Sequence, residues 1–288
     1  MKDRTWGGRL FDITNITLLL LFAALAVLPF LYMVLGSFAS PEEFAKRGMM
    51  LIPTKFSLDA YTYIFSTNTI VRSLFNTIFI TVAGTFINLL FTVLMAYPLA
   101  RKELLWRKPV MLMVIFSMLF SGGMIPTFLV VKMLGLMNSL WSLLIPGAIS
   151  AFNLIILKNF LPEGIEESAK IDGCNDVGIL FRIVLPLSLP AIATFSLFYA
   201  VGHWNSFFSA ILYINDTTKW PIQVILRQVV IMAEGGIGDS SQVNEAFVIP
   251  PQSIKMAVIT VSTLPILIVY PFLQRHFAKG VLLGSVKG

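Results

Sequence analysis

Six stretches of this chain are long, apolar and free of Asp, Glu, Lys and Arg: Ile13–Phe38, Ser73–Leu99, Val110–Val131, Leu140–Leu157, Ile183–Ile214 and Met256–Leu273. A helix needs roughly 20 mainly apolar residues to cross the roughly 30 Å hydrocarbon layer of a bilayer. Each stretch reads as one such crossing. Of the 288 residues, 57% are hydrophobic and 12% are charged. Soluble domains carry roughly 25% charged residues, so this chain could not cover a water-facing surface. The expected fold is an all-α integral membrane protein with six transmembrane helices. The fifth stretch is too long for one straight crossing. Pro186 and Pro190 stand at its start, so its first turn is expected at the interface.

Residues 1–12 then form a short N-terminal segment, 13–274 the six-helix domain, and 275–288 a C-terminal tail. The charged start Met1-Lys2-Asp3-Arg4 resembles that of a signal peptide. The apolar run that follows is too long for a signal core and has no convincing cleavage site, so it reads as a retained helix.

Charge placement excludes several functions. Ionisable groups at the bilayer centre are costly and mark ion or proton pathways. Their absence from the six cores argues against proton-coupled or sodium-coupled carriers and against a voltage sensor. It suits a neutral, hydroxyl-rich solute. The net charge of +6 does not call for nucleic acid, because membrane proteins concentrate Lys and Arg in cytoplasmic loops. With the N-terminus inside, thirteen Lys and Arg fall on the cytoplasmic side and eight on the other. The tight basic hairpin Arg101–Lys108 is the cleanest part of that asymmetry. Both termini are therefore expected in the cytoplasm. The single cysteine, Cys174, excludes an internal disulfide framework and a cysteine-based metal cluster. His203 has no second metal ligand near it in sequence, and no cofactor is expected in this chain.

The loop Lys158–Arg182 between the fourth and fifth stretches is the most informative segment. Pro162 suits a helix start, where a missing N–H does no harm. Glu163, Glu166 and Glu167 place negative charge in the first turns, favourable against the helix dipole. Gly173 can end that helix in a left-handed turn, and Asn175 or Asp176 can cap the next one. The loop reads as two short helices joined by a tight turn beneath the membrane, an amphipathic knob for a docking partner.

Glu167-Ser168-Ala169, three residues, Gly173, nine residues, then Ile183-Val184-Leu185-Pro186 resembles the EAA loop of ATP-binding-cassette importer permeases. That pattern is Glu-Ala-Ala, x3, Gly, x9, Ile-x-Leu-Pro. The one departure is Ser168 for the first Ala, small for small. Asn76-Thr77, Ala96-Tyr97-Pro98-Leu99-Ala100-Arg101, Leu134–Ser139, Ile145-Pro146 and Trp204-Asn205-x-Phe207 resemble other elements of the same family. The end, Gln274–Gly280 with Gly284–Gly288, is similar to the tail of the maltose-type second permease. Within that carbohydrate-uptake class the chain most resembles complex-oligosaccharide permeases of Gram-positive bacteria.

The resemblance implies a type I importer permease fold with the coupling loop over 158–186. It implies a bacterial multi-pass membrane subunit, forming half of a pathway for a sugar or oligosaccharide. It also implies a second permease, most simply in a heterodimer, a dimer of ATPase subunits, and an extracytoplasmic solute-binding lipoprotein. Glu167, Ser168, Ala169, Asp172, Gly173, Ile183, Leu185 and Pro186 would make the ATPase-docking segment, with Glu167 pairing a basic group there. The tail would reach toward the ATPase dimer interface. The chain has no Gly-x4-Gly-Lys-Ser/Thr loop, so ATP would be bound and hydrolysed by the partner.

Asn76, Asn153, His203, Trp204 and Asn205 are candidates for the solute pathway. Aromatic faces suit sugar C–H surfaces, and amides serve hydroxyls. Each could instead hydrogen-bond a neighbouring helix. Ser121-Gly122-Gly123 suits close packing or a kink. An importer for a non-sugar solute, a membrane-embedded enzyme and an uncoupled channel are the alternatives. The enzyme reading lacks a His-Glu-x-x-His motif and paired intramembrane Asp residues. A channel has no need of a docking loop.

Overall fold

A computed structural model describes residues 5–40, 43, 52–162, 169–171, 173–233 and 252–285. Among these residues the structure is helical, and an isolated antiparallel bridge joins Ala39 to Phe56. In chain order the helices are α1 (Trp6–Gly36), α2 (Asp59–Ser66), α3 (Asn68–Ala100), α4 (Arg107–Leu119), α5 (Met124–Met133), α6 (Trp141–Leu144) and α7 (Ala151–Phe160). Then come α8 (Asp176–Ile179), a π-helical turn at Leu180–Val184, α9 (Leu185–Leu187), α10 (Leu189–Trp204), α11 (Phe208–Tyr213), a 3-10 turn at Thr217–Lys219, α12 (Ile222–Ala233) and α13 (Gln252–Ser285).

Three helices are long and apolar enough to cross a membrane among the described residues: α1, α3 and the Gln252–Pro271 part of α13. The third and fifth expected spans are bent pairs, α4 with α5 at 114° and the Asp176–Leu187 segment with α10 at 81°. Counting each pair as one crossing gives five. The expected fourth span, Leu140–Leu157, is not a single helix. It divides into α6 and α7 around Pro146-Gly147. Pro146 has no N–H to give the helix, and its ring clashes with the carbonyl four residues back. The α4–α5 break falls at Gly123, where φ is 86° and ψ is 174°, a region open essentially to glycine alone. The α10 break falls at Ser188, and Pro190 follows at the start of the new helix. The fifth stretch also stops short of Ile214, because α10 ends at Trp204 and α11 begins afresh at Phe208.

The chain forms two compact units, 1–68 with 226–263, and 69–225 with 264–288. In the first, Phe38 and Tyr61 pack ring against ring at 5.1 Å. The Tyr61 hydroxyl shares a 2.6 Å hydrogen bond with Ser37 Oγ. Buried Glu43 fastens the following loop, with Oε1 accepting from Thr54 N (3.0 Å) and Oε2 from Lys55 N (3.3 Å). None of the most apolar window of α1 is buried, while its end is seated, with Gly36 buried and Tyr32 packed against Ala39 and Met256. The second unit holds the main core, where Val93, Ala96, Tyr97 and Leu99 of α3 meet Leu154 and Leu157 of α7, Phe195 and Tyr199 of α10, and Ala169, Ile179, Leu180 and Val184.

Because a Cβ at Gly123 is confined by backbone and not by neighbours, Gly123→Ala should destabilise the protein by about 1–3 kcal/mol. Gly122→Ala, whose Cβ would meet only Pro126 Cβ at 4.0 Å, should be close to neutral. Thermal unfolding of both variants in detergent checks the contrast.

Candidate functional site

The turn at Gly173 shapes the segment in which docking is expected. Ala169–Ile171 is helical. Gly173 then takes φ 80°, the left-handed geometry that ends a helix without a Cβ penalty. Its N–H donates to the Lys170 carbonyl (3.0 Å), and the Cys174 N–H donates to the Ala169 carbonyl (3.0 Å). Asn175 caps α8, its Oδ1 accepting from Gly178 N at 2.8 Å. The sequence allowed Asn175 or Asp176 as the cap; Asn175 takes that place. Asp176 in the first turn is left to face elsewhere.

One side of this turn is seated and the other is bare. Ala169 is buried in the main core, and Ile183 and Leu185 pack against it. Ile171 is 87% exposed, and Val177 and Phe181 are also exposed. Gly173, Cys174, Asn175, Val177, Gly178, Phe181 and Arg182 line a groove of about 510 Å³ beside them. Pro186 is exposed in the first turn of α9. Glu167, Ser168 and Asp172 lie outside the described residues, as do Glu163 and Glu166.

Charged groups tie the turn to the end of α3. Arg101 Nη1 donates to Asp176 Oδ1 at 2.7 Å. The Arg101 guanidinium lies 4.4 Å from the centre of the Tyr97 ring and donates to the Tyr97 hydroxyl. That hydroxyl reaches the Asp176 carbonyl at 3.4 Å. Lys170 Nζ lies 3.6 Å from Glu103. The hydrogen bond from Arg101, and then its charge, hold the Asp176 carboxyl below the ordinary carboxylate range. A depressed carboxyl keeps the pair present above that range and loses it only as pH falls through the folded pKa, so the pair is intact at neutral pH.

Several polar residues of α3 meet backbone at short turns, helix starts and helix breaks. Asn76 Nδ2 donates to the Thr218 (2.9 Å) and Trp220 (3.3 Å) carbonyls. Thr77 Oγ1 accepts from Ile222 N at 2.8 Å, at the start of α12. Asn88 Nδ2 donates to the Gly147 carbonyl (2.5 Å), in the break between α6 and α7. His203 Nε2 donates to Asn88 Oδ1 at 2.6 Å. Tyr199 OH shares a 2.8 Å bond with Thr92 Oγ1 and accepts from Ser150 N at 3.4 Å. A buried backbone group without a partner is costly, and most costly in hydrocarbon. The stripe thus supplies partners at the breaks.

The candidate pathway residues are placed as follows. Asn76 and His203 hold the contacts just given, and Asn153 is buried near the start of α7. Trp204 is buried, whereas Asn205 is exposed and its Nδ2 donates to the Val201 carbonyl of its own helix (3.0 Å). Asn88, a polar residue of the second stretch for which the sequence favours packing, and Arg101, of the basic hairpin, were not among the pathway candidates. A lone polar residue in an apolar run carries no sign of which distant carbonyl it will meet.

The described residues thus hold long apolar helices, interrupted apolar segments and an exposed apolar turn tied to the basic hairpin. Comparison with known proteins gives the family. Over 99% of that relative's length, the chain is 60% identical to the polygalacturonan/rhamnogalacturonan transport system permease protein YtcP of Bacillus subtilis. It is 57% identical over 97% of the length of Protein LplC of the same organism. Among solved structures, it matches a chain of a bacterial ABC transporter involved in the import of the acidic polysaccharide alginate, at TM-score 0.87 and 32% identity. That match covers 96% of this chain and 100% of the other. No protein-family model matches the chain. The chain belongs to the permease subunits of ATP-binding-cassette sugar importers, and is a multi-pass membrane subunit and not an enzyme.

Gly84 tests the node around His203. A Cβ there would stand 2.5 Å from His203 Nε2, and the ring is held by Asn88. Gly84→Ala should destabilise by about 1–3 kcal/mol, the usual cost of overpacking. Adding His203→Ala should remove much of that penalty, so the double variant unfolds later than the two single effects together predict. Unfolding midpoints in detergent measure the coupling.

Proposed function

We propose that this chain forms half of the translocation pathway of an importer for oligosaccharides, with uronate-bearing saccharides as its substrate class. The observation that carries this is the 60% identity to a polygalacturonan/rhamnogalacturonan permease across its length. The alginate importer, also named for an acidic polysaccharide, supports it. Neutral oligosaccharides are the second reading, favoured by six stretches without an ionisable residue.

The working unit in this proposal is a second permease, two ATPase subunits and an extracytoplasmic solute-binding protein. Both termini and the 158–186 loop face the cytoplasm, as the Lys and Arg distribution favours. Glu167, Ser168, Ala169, Asp172 and Gly173 dock the ATPase, and Ile171, Val177 and Phe181 offer apolar surface to it. Ile183, Leu185 and Pro186 carry the turn into the spans. ATP binds to the partner, whose closure moves the docked turn and rocks the spans between outward-open and inward-open states. Asn205, exposed at the end of α10, is the place where a hydroxyl-bearing solute would be met, and Trp204, Asn76, Asn153 and His203 are the further candidates of the pathway.

Solute-stimulated ATP hydrolysis by the complex reconstituted in vesicles tests the substrate class. Galacturonate oligosaccharides should stimulate it more than neutral oligosaccharides of equal length. Stimulation by neutral chains alone would move the assignment to the second reading, and stimulation by amino acids alone would overturn both. A second experiment addresses docking: Gly173→Val, strained by about 1–2 kcal/mol at its positive φ, should reduce co-purification of the ATPase and uptake together.

A further inference from the structure

We propose that the Arg101–Asp176 ion pair is the link through which movement of the docking turn reaches the long helix α3. The inference rests on the reading of the Gly173 turn as the ATPase-docking segment. It concerns what happens behind that turn.

Three observations point to this pair. First, both charged links from the turn described above end at the same place. Asp176 meets Arg101, the residue that follows the last turn of α3, and Lys170 meets Glu103 two residues further on. Second, the two partners differ in setting. The Arg101 side chain is 16% exposed and lies against Tyr97, itself buried in the main core, while the Asp176 side chain is 63% exposed. A cation seated in the core and an acid on the moving surface make a joint between a fixed part and a displaceable one. Third, the joint is directional. Asp176 is bonded through its carboxylate by Arg101, and its carbonyl is within reach of the Tyr97 hydroxyl at 3.4 Å. Two contacts on one residue resist rotation as well as separation.

What α3 does with such a push follows from its other contacts. Asn88 and Thr92, on the same helix, hold His203, the Gly147 carbonyl and Tyr199. A displacement entering α3 at Arg101 therefore bears on α10 and on the α6–α7 break. Asp176 is exposed, and Asn in its place keeps an oxygen that can accept from Arg101, so a mainly structural role for this pair predicts little effect of Asp176→Asn. A role in coupling predicts a large effect on work done per ATP. Asp176 is a positioning residue here, with no contact to solute or nucleotide.

Asp176→Asn removes the charge and keeps the shape, and the Asn175 cap is untouched. In the reconstituted complex, this variant should assemble with the ATPase and unfold near the wild-type temperature. Uptake per ATP hydrolysed should fall by about tenfold, within the usual span of coupling between sites. Asp176→Glu, which retains a carboxylate for Arg101, should recover most of that loss. Unchanged uptake per ATP in Asp176→Asn overturns the proposal. So does loss of ATPase assembly in Asp176→Asn, since Asp176 would then be a docking contact. Failure of the wild-type chain to bind any ATPase would instead remove the docking reading beneath it.

Discussion

Hydrocarbon offers no hydrogen bond, so every backbone N–H and C=O within it must be satisfied by protein. The architecture of this chain follows from that constraint. Where the sequence runs apolar without interruption, the helix satisfies itself, as in α1 and α3. Where proline and glycine stop the helix, at Pro146-Gly147 and around Ser188, carbonyls and N–H groups are released. Asn88 takes the Gly147 carbonyl, and Tyr199 takes the Ser150 N–H. Asn76 and Thr77 do the same for the segment running into α12. Breaks and polar side chains are two halves of one solution. The breaks give the bundle places to bend, and the side chains keep the bending from exposing bare backbone.

This division explains what could be read from the residues alone. The existence and order of apolar segments were legible, since length and the lack of charge suffice for that. The glycine turn at 173 was legible too, and the cap was narrowed to Asn175 or Asp176, because both depend on residues within a few positions. The unity of the fourth segment was not. Leu140–Leu157 is apolar enough for a span, yet Pro146 and Gly147 divide it, and the partner that makes the division tolerable stands at Asn88 on another helix. Hydropathy sums over neighbours in sequence and is blind to such a partner. The same blindness affects Asn76 and His203. Their polarity in an apolar run marks them as needing a partner, and a solute hydroxyl or a distant carbonyl would satisfy that need equally from the viewpoint of sequence.

Around the Gly173 turn the chemistry changes from amide and hydroxyl to full charge. Arg101, Tyr97, Asp176, Lys170 and Glu103 lie where water can solvate what the protein does not, and there ion pairs are affordable. The Gly173 turn carries apolar side chains outward on one side and is tied to α3 on the other. A membrane subunit that takes its energy from a separate motor needs both properties at one place: a surface to be gripped, and a rigid path away from it. In the proposed reading that motor is an ATPase.

The central claim is that the turn after Ala169 faces the cytoplasm and touches the ATPase. Because Cys174 is the chain's single cysteine, Cys174→Ser with Ile171→Cys leaves one thiol at an exposed position beside the turn. In sealed vesicles of known orientation, that thiol should react with an impermeant maleimide only from the cytoplasmic face. It should lose that reactivity, and cross-link to the ATPase subunit, when the complex is assembled. Labelling from the opposite face, or equal reactivity with and without the ATPase, would contradict the account.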